Sequence, residues 1–138
     1  MSDCEMQDTR IEAILGEDNL DVSDESLILY RSYLQKSIVK PCELKCSGQC
    51  EWENYYIFGL GDKKEYEELR KSRPSCKDIF MFMSFDTFID DTAGLMVKVK
   101  RVSDRKQFVM PLADLEATDE KSSNYKLIDD YAYWYVNY

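Results

Sequence analysis

The spacing of apolar side chains changes once along this chain, and the change falls at Pro41. Before it, Leu27, Tyr30, Leu34 and Ile38 recur at three- and four-residue intervals, the period of a helix face. After it, the dominant period is two, the period of a half-buried strand. A chain that reads helix first and strand afterwards folds as α+β, with its strands paired antiparallel. A helix is expected from Asp8 or Thr9, with Ile11, Ile14 and Leu15 on one face and Gly16 at its end. A second is expected from a cap at Ser23 or Asp24 to about Ser37, before Pro41. The two form a helical hairpin, and residues 1–7 read as a flexible tail.

In the second part, "CEWENYYIFG" reads as a strand with Trp52 and Tyr56 on one side, broken by Gly59 and Gly61. "DKKEYEELRKSR" reads as a short charged helix ended by Pro74, and "DIFMFMSFD" as an apolar strand. "DTFIDDTAG" reads as a turn region. "GLMVKVKRV" and "QFVMPLADL" flank the polar turn "SDRK", the clearest hairpin in the sequence. Met96, Lys98 and Lys100 share one face of it, and Val97, Val99 and Arg101 the other. "ATDEKSSN" reads as a loop, and "YKLIDDYAYWYVNY" as one helical turn followed by a last strand. The expected architecture is a helical hairpin followed by a small, strongly bent antiparallel sheet or an SH3-like barrel, in one domain over residues 1–138.

The 138 residues suit a single core, and ten Tyr, six Phe and two Trp supply the burial that disordered chains lack. Asp and Glu number 27 against 18 Lys and Arg, for a net charge of -9. That charge repels nucleic acid and anionic membranes and attracts cations and basic proteins. Histidine is absent, which removes Ser-His and Cys-His nucleophile pairs and every imidazole metal site. No nucleophile or phosphate-loop motif replaces them, so no enzyme activity is expected. The first ten residues, "MSDCEMQDTR", are polar and acidic, and no apolar run is long enough to span a membrane, so the expected location is cytoplasmic.

Two kinds of metal chemistry are open. "KPCELKCSGQCEWEN" places Cys42, Cys46 and Cys50 four residues apart, and with Cys76 they make a candidate zinc set. Their spacing matches no common zinc or iron-sulfur run. In a reducing compartment they read first as free thiols, or as a Cys46–Cys50 disulfide switch. The alternative is oxygen ligation of calcium. Neither "DNLDVSDESLIL" nor "DTFIDDTAG" fits an EF-hand loop, so any calcium site must be assembled by folding. Asp114 and Glu116 lie two apart on an extended run, with Asp119, Asp129 and Asp130 able to approach the same edge. Glu51 and Glu53 form a second such pair, followed by Asp62, Glu65 and Glu67. Asp90 and Asp91 beside Gly94 form a third group. Crowded carboxylates repel one another, and a bound cation relieves that repulsion.

Taken in order, "SLILYRSYLQKSIVKPCEL", "WENYYIFGLGDKKEYEELRKSRPS" and the run from "GLMVKVKRV" through "PLADLEATD" to "DDYAYW" resemble the small acidic calcium-binding family typified by the calcium-binding protein of heterocyst-forming cyanobacteria. The likeness covers about residues 24–138. It implies a cytoplasmic protein that binds Ca2+ through surface carboxylates and catalyses no reaction. "KCSGQC" departs from it, since an acidic turn is expected before the tryptophan. The expected ligands, from the residues themselves, are Asp114, Glu116, Asp129 and Asp130 first, and Glu51, Glu53, Asp62 and Glu65 second. Two other readings remain: an interaction module holding a basic partner through "YAYWYVNY" and an acidic rim, and the cysteine-ligated zinc domain.

Overall fold

The structure is a computed structural model that describes residues 3–48, 51–57, 59 and 61–138. Helix α1 spans Asp3–Leu15 and α2 spans Asp24–Ser37. Ser23 caps α2 as its sequence predicts. The Ser23 hydroxyl accepts from the Ser26 N–H at 3.2 Å, and the Ser26 hydroxyl accepts from the Ser23 N–H at 2.8 Å. This reciprocal pair satisfies two donors that the first turn leaves orphaned. Ser23→Ala is expected to lower stability by about 1 kcal/mol, read by urea unfolding followed in the far-UV.

Helix α1 starts earlier than Asp8 or Thr9. Its first turns are held from outside: Gln7 Nε2 donates to Asp129 at 3.0 Å and to Asp130 at 3.1 Å, and Asp8 accepts from the Tyr133 hydroxyl at 3.0 Å. The tail expected over residues 1–7 is therefore helix from Asp3 onward. Gly16 ends the helix as expected, at a φ of 80°.

Strands β1 (Glu43–Cys46), β2 (Phe80–Asp90), β3 (Gly94–Arg101), β4 (Gln107–Pro111) and β5 (Leu115–Ala117) form one antiparallel sheet in the order β4-β3-β2-β1-β5. The β3–β4 hairpin has the predicted faces, with Val97 and Val99 fully buried and Arg101 only 3% exposed. The first and last strands of that order are joined by a single 3-10 turn, Leu112–Asp114. In a flat sheet, four spacings of about 4.8 Å would hold the two edges about 19 Å apart. The turn advances only about 2 Å per residue, so it spans roughly 8 Å and the sheet must bend strongly. Irregular register between Phe82 and Ser84 and between Phe85 and Ile89 adds bending within β2. No ladder joins β4 to β5 among the described residues, so the bent sheet stays open there and the barrel is not closed.

Two segments differ from expectation. Glu51–Glu53 is a 3-10 turn and Asn54–Ile57 a single helical turn, α3, where a strand was expected. Trp52 and Tyr56 still share a side, with ring centroids 6.1 Å apart, because a four-residue separation suits a helical turn as well as a strand. Tertiary bonds decide: the Trp52 indole donates to the Pro74 carbonyl at 2.8 Å, and Glu53 is buried by its partners. The short charged helix forms as predicted, α4, over Lys63–Arg70. The C-terminal segment is helix throughout, α5, over Ser123–Asn137, with no final strand. Tyr and Val favour strands locally. Here Ile128, Tyr131 and Trp134 recur every three residues and are all fully buried, and that burial outweighs local preference.

The core lies between the sheet and helices α1, α2 and α5. Tyr30, Tyr131 and Trp134 pack ring against ring at its centre. The Trp134 indole donates to the Leu20 carbonyl at 2.7 Å, and the Tyr131 hydroxyl accepts from the Leu95 N–H at 2.9 Å. Gly94 turns β2 into β3 at a φ of 78°, and a Cβ there would meet Tyr135 at 2.6 Å and Tyr131 at 2.7 Å, so only glycine fits. No helix among the described residues is long and apolar enough to cross a membrane.

Candidate metal centre

Among the described residues the sulfur set does not assemble. Cys42 is 2% exposed and sits in the core, where burial pushes its thiol up to about 11. Cys42 and Cys46 flank an extended run, so four residues separate them by roughly 13 Å. Zinc holds its sulfurs at about 2.3 Å, so these two cannot share an ion. Cys50 lies outside the described residues.

The second carboxylate group is dispersed. Glu53 is fully buried and accepts from the Tyr66 hydroxyl at 2.6 Å, the Ser75 hydroxyl at 2.7 Å and the Cys76 N–H at 2.7 Å. Burial alone would raise its carboxyl, but these bonds outweigh burial and hold it below the ordinary value. Asp62 caps α4 by accepting from the Lys64 N–H at 3.1 Å, and Glu65 accepts from the Tyr56 hydroxyl at 2.8 Å. The Glu51 side chain lies outside the described positions. In the third group, Asp90 closes its own turn by accepting from the Thr92 hydroxyl at 2.7 Å, the Thr92 N–H at 2.8 Å and the Ala93 N–H at 2.9 Å.

The first group divides. Asp130 is 3% exposed, and its two oxygens accept from the Arg10 Nε at 2.7 Å and the Arg10 Nη2 at 2.9 Å. That bidentate pair ties α1 to α5 and leaves Asp130 neutralised. Asp114, Glu116 and Asp129 remain at the surface. Asp114 lies in the 3-10 turn rather than on extended chain, and Glu116 follows on β5, with Lys45 at 3.7 Å. Desolvation by the surrounding chain raises the Asp114 carboxyl, although the residue is open to solvent. Asp129, on the second turn of α5, is exposed and accepts from Gln7. Burial raises the Tyr125 phenol first, and the charges of Asp129, Glu116 and Glu120 raise it further. Three carboxylates, from β5, the β5–α5 loop and α5, thus lie near enough to Tyr125 for their charges to act on its phenol. Glu120 is not among the residues the sequence singles out, and the fold brings its charge near Tyr125.

Residues 10–135 match the family model for CcbP-type proteins, described as calcium binding. The chain belongs to this calcium-binding family. Its fold is similar to that of a calcium-binding protein solved in its calcium-binding form, with a TM-score of 0.61 at 18% identity, over 99% of this chain and 96% of that one. The crystal structure of Anabaena CcbP is similar to the same degree, with a TM-score of 0.61 at 18% identity, over 98% of this chain and 93% of that one. No curated protein sequence is significantly similar to the chain.

The CcbP family implies calcium, and the corner suits that ion in chemistry. Asp114, Glu116, Glu120 and Asp129 offer hard oxygen donors, which calcium takes in numbers of about 6–8 and in flexible geometry. No cage stands ready: among the described residues no three side chains of His, Cys, Asp or Glu already meet at one point. Exposed carboxylates on separate elements can converge by rotation, and water completes such a shell.

Proposed function

We propose that this chain binds calcium at the β5–α5 corner and serves as a cytoplasmic calcium buffer or sensor. The observation that carries the reading is the match of residues 10–135 to the CcbP family, and the charges of Glu116, Glu120 and Asp129 near Tyr125 direct it to this corner. When bound, calcium supplies positive charge that relieves repulsion among these groups. Glu116, Asp129, Glu120 and Asp114 would hold the ion, Glu116 in place of its 3.7 Å contact to Lys45 and Asp129 in place of its bond from Gln7. Binding to the folded state alone also stabilises it by mass action. Asp130 positions α5 through Arg10, and Glu53, Asp62 and Glu65 hold the 51–70 segment together.

Calorimetric titration of the metal-stripped, reduced protein with calcium, and with magnesium and zinc in parallel, tests the proposal. Calcium heat with weak magnesium heat supports it, whereas tight zinc binding without a calcium response sinks it. Asp114→Asn with Glu116→Gln is expected to weaken calcium binding about tenfold or more, the equivalent of about 1.4 kcal/mol. Both residues are at the surface, so the fold survives the change. Unchanged affinity would remove them from the site. The basic-partner reading is less well supported, because "YAYWYVNY" places Tyr131 and Trp134 in the core.

A further inference from the structure

We propose, resting on calcium binding at the β5–α5 corner, that Gln7 sets the affinity of that site by holding Asp129 back, and that calcium in turn loosens the first turns of α1. The Gln7 side chain reaches from α1 to α5, where its Nε2 donates to Asp129 Oδ2 at 3.0 Å and to Asp130 Oδ1 at 3.1 Å. A side-chain amide has two N–H donors, so one goes to each carboxylate.

The two carboxylates differ in what else holds them. Asp130 is 3% exposed and carries the bidentate pair with Arg10 at 2.7 and 2.9 Å, so it remains bound to α1. Asp129 is exposed, and its bond comes from a neutral amide. A neutral donor competes weakly with a divalent cation for a carboxylate. The N–H that Asp129 gives up turns to water, because Gln7 is only half-buried.

A ligand that binds one arrangement of Asp129 shifts the balance between its arrangements, and the coupling is equal in both directions. Gln7 on Asp129 withholds an oxygen from the ion. The ion on Asp129 withholds an anchor from α1. The effect is confined to one end of the helix. After Arg10, α1 is fixed by the Asp130 pair and by Ile11 and Leu15, which are 0% and 4% exposed. Before Arg10, the ties that remain are Gln7 to Asp130, and Asp8 to the Tyr133 and Tyr138 hydroxyls at 3.0 and 2.5 Å. The loosening therefore falls on residues 3–10. Calcium bound to the folded state otherwise slows exchange by mass action, so faster exchange in one segment is not a product of general stabilisation.

The test is hydrogen exchange of the full-length, metal-stripped protein with and without calcium, read by mass spectrometry, beside calorimetric calcium titration of variants. The expected result is that calcium speeds exchange over residues 3–10 and leaves residues 11–15 unchanged or slower. Gln7→Ala is expected to bind calcium about fivefold more tightly, at the lower end of ordinary coupling. Its metal-free form should already show the faster exchange over residues 3–10. Alanine favours a helix, so the fold survives the change. With Asp129→Asn in place, adding Gln7→Ala should leave calcium affinity unchanged, because the two positions act through one contact. Exchange over residues 3–10 that calcium slows or leaves unchanged overturns the proposal. So does a Gln7→Ala gain that persists beside Asp129→Asn. Lower affinity in Gln7→Ala overturns it too, since Gln7 would then aim Asp129 at the ion rather than withhold it. Each of these outcomes leaves calcium binding standing, whereas the absence of calcium heat from the wild type removes the corner site itself.

Discussion

Arg101→Leu is expected to destabilise the fold by about 3–5 kcal/mol, the cost of removing one partner from a buried ion pair. Arg101 stands on the inner face of β3 beside Val97 and Val99, where a charge needs complete pairing. Its guanidinium donates to Asp104 at 3.0 and 2.7 Å, to Asp78 at 2.9 Å, and to the carbonyls of Arg70, Lys71 and Arg73 at 2.8, 2.8 and 2.9 Å. The pairing holds the Asp104 carboxyl down at about 2, chiefly through its hydrogen bonds from Arg101. Leucine would fit the apolar face but would take the guanidinium from Asp78, which keeps only the Ser75 N–H at 2.9 Å and a long contact to Arg70, and from the carbonyls of Arg70, Lys71 and Arg73. Arg101→Lys keeps the charge and loses the planar fork, so it should recover only part of the loss. Urea unfolding gives the magnitude. Hydrogen exchange should show the amides after α4 opening well before those of the β3–β4 hairpin. Equal opening of both regions would mean that Arg101 supports the sheet generally rather than clamping α4 to it.

What the sequence disclosed follows from the range of the forces involved. The Ser23 cap, the end of α2 at Ser37, the "SDRK" hairpin and the two faces of β3 are local or nearly so, and each appears where its pattern places it. The strand expected over "CEWENYYIFG" does not form, because the partners of Trp52 and Glu53 lie at Tyr66 and Pro74–Cys76. The final strand expected after "YKLIDD" does not form, because Ile128, Tyr131 and Trp134 recur at a helical three-residue spacing and are buried together. The candidate site divides in the same way. Acid-rich segments are visible in the sequence, but their roles are not. Asp130 is claimed by Arg10, 120 residues away in sequence. Glu120 comes near Tyr125, on which the charges of Asp129 and Glu116 also act, only through the turn into α5. Carboxylate spacing alone cannot separate a buried ion-pair partner from a surface oxygen free to hold a cation.

Glu53 is where that distinction has its largest consequence, and Glu53→Ala is expected to cost about 3 kcal/mol or more, since buried donors are left without an acceptor. The Tyr66 and Ser75 hydroxyls can rotate toward other acceptors, but the Cys76 N–H is fixed by the backbone. Glu53→Gln keeps the shape but sets an amide NH2 among donors, so it should relieve only part of the loss. The pH dependence separates charge from shape. The bonds from Tyr66, Ser75 and Cys76 outweigh burial and hold the folded carboxyl below its ordinary value. A depressed folded value stabilises the native state above the unfolded pKa of about 4.3. That contribution is lost as pH falls from there through the lower folded value. Wild-type urea midpoints should therefore decline across this acid window more steeply than those of Glu53→Gln, which has no proton to gain. The same variant tests calcium ligation by Glu53. A structural carboxylate gives a protein that is less stable yet retains its calcium affinity wherever it remains folded. A ligand gives the reverse, with affinity lost and stability in the calcium-free state nearly unchanged. The full burial of Glu53 among three donors favours the first outcome.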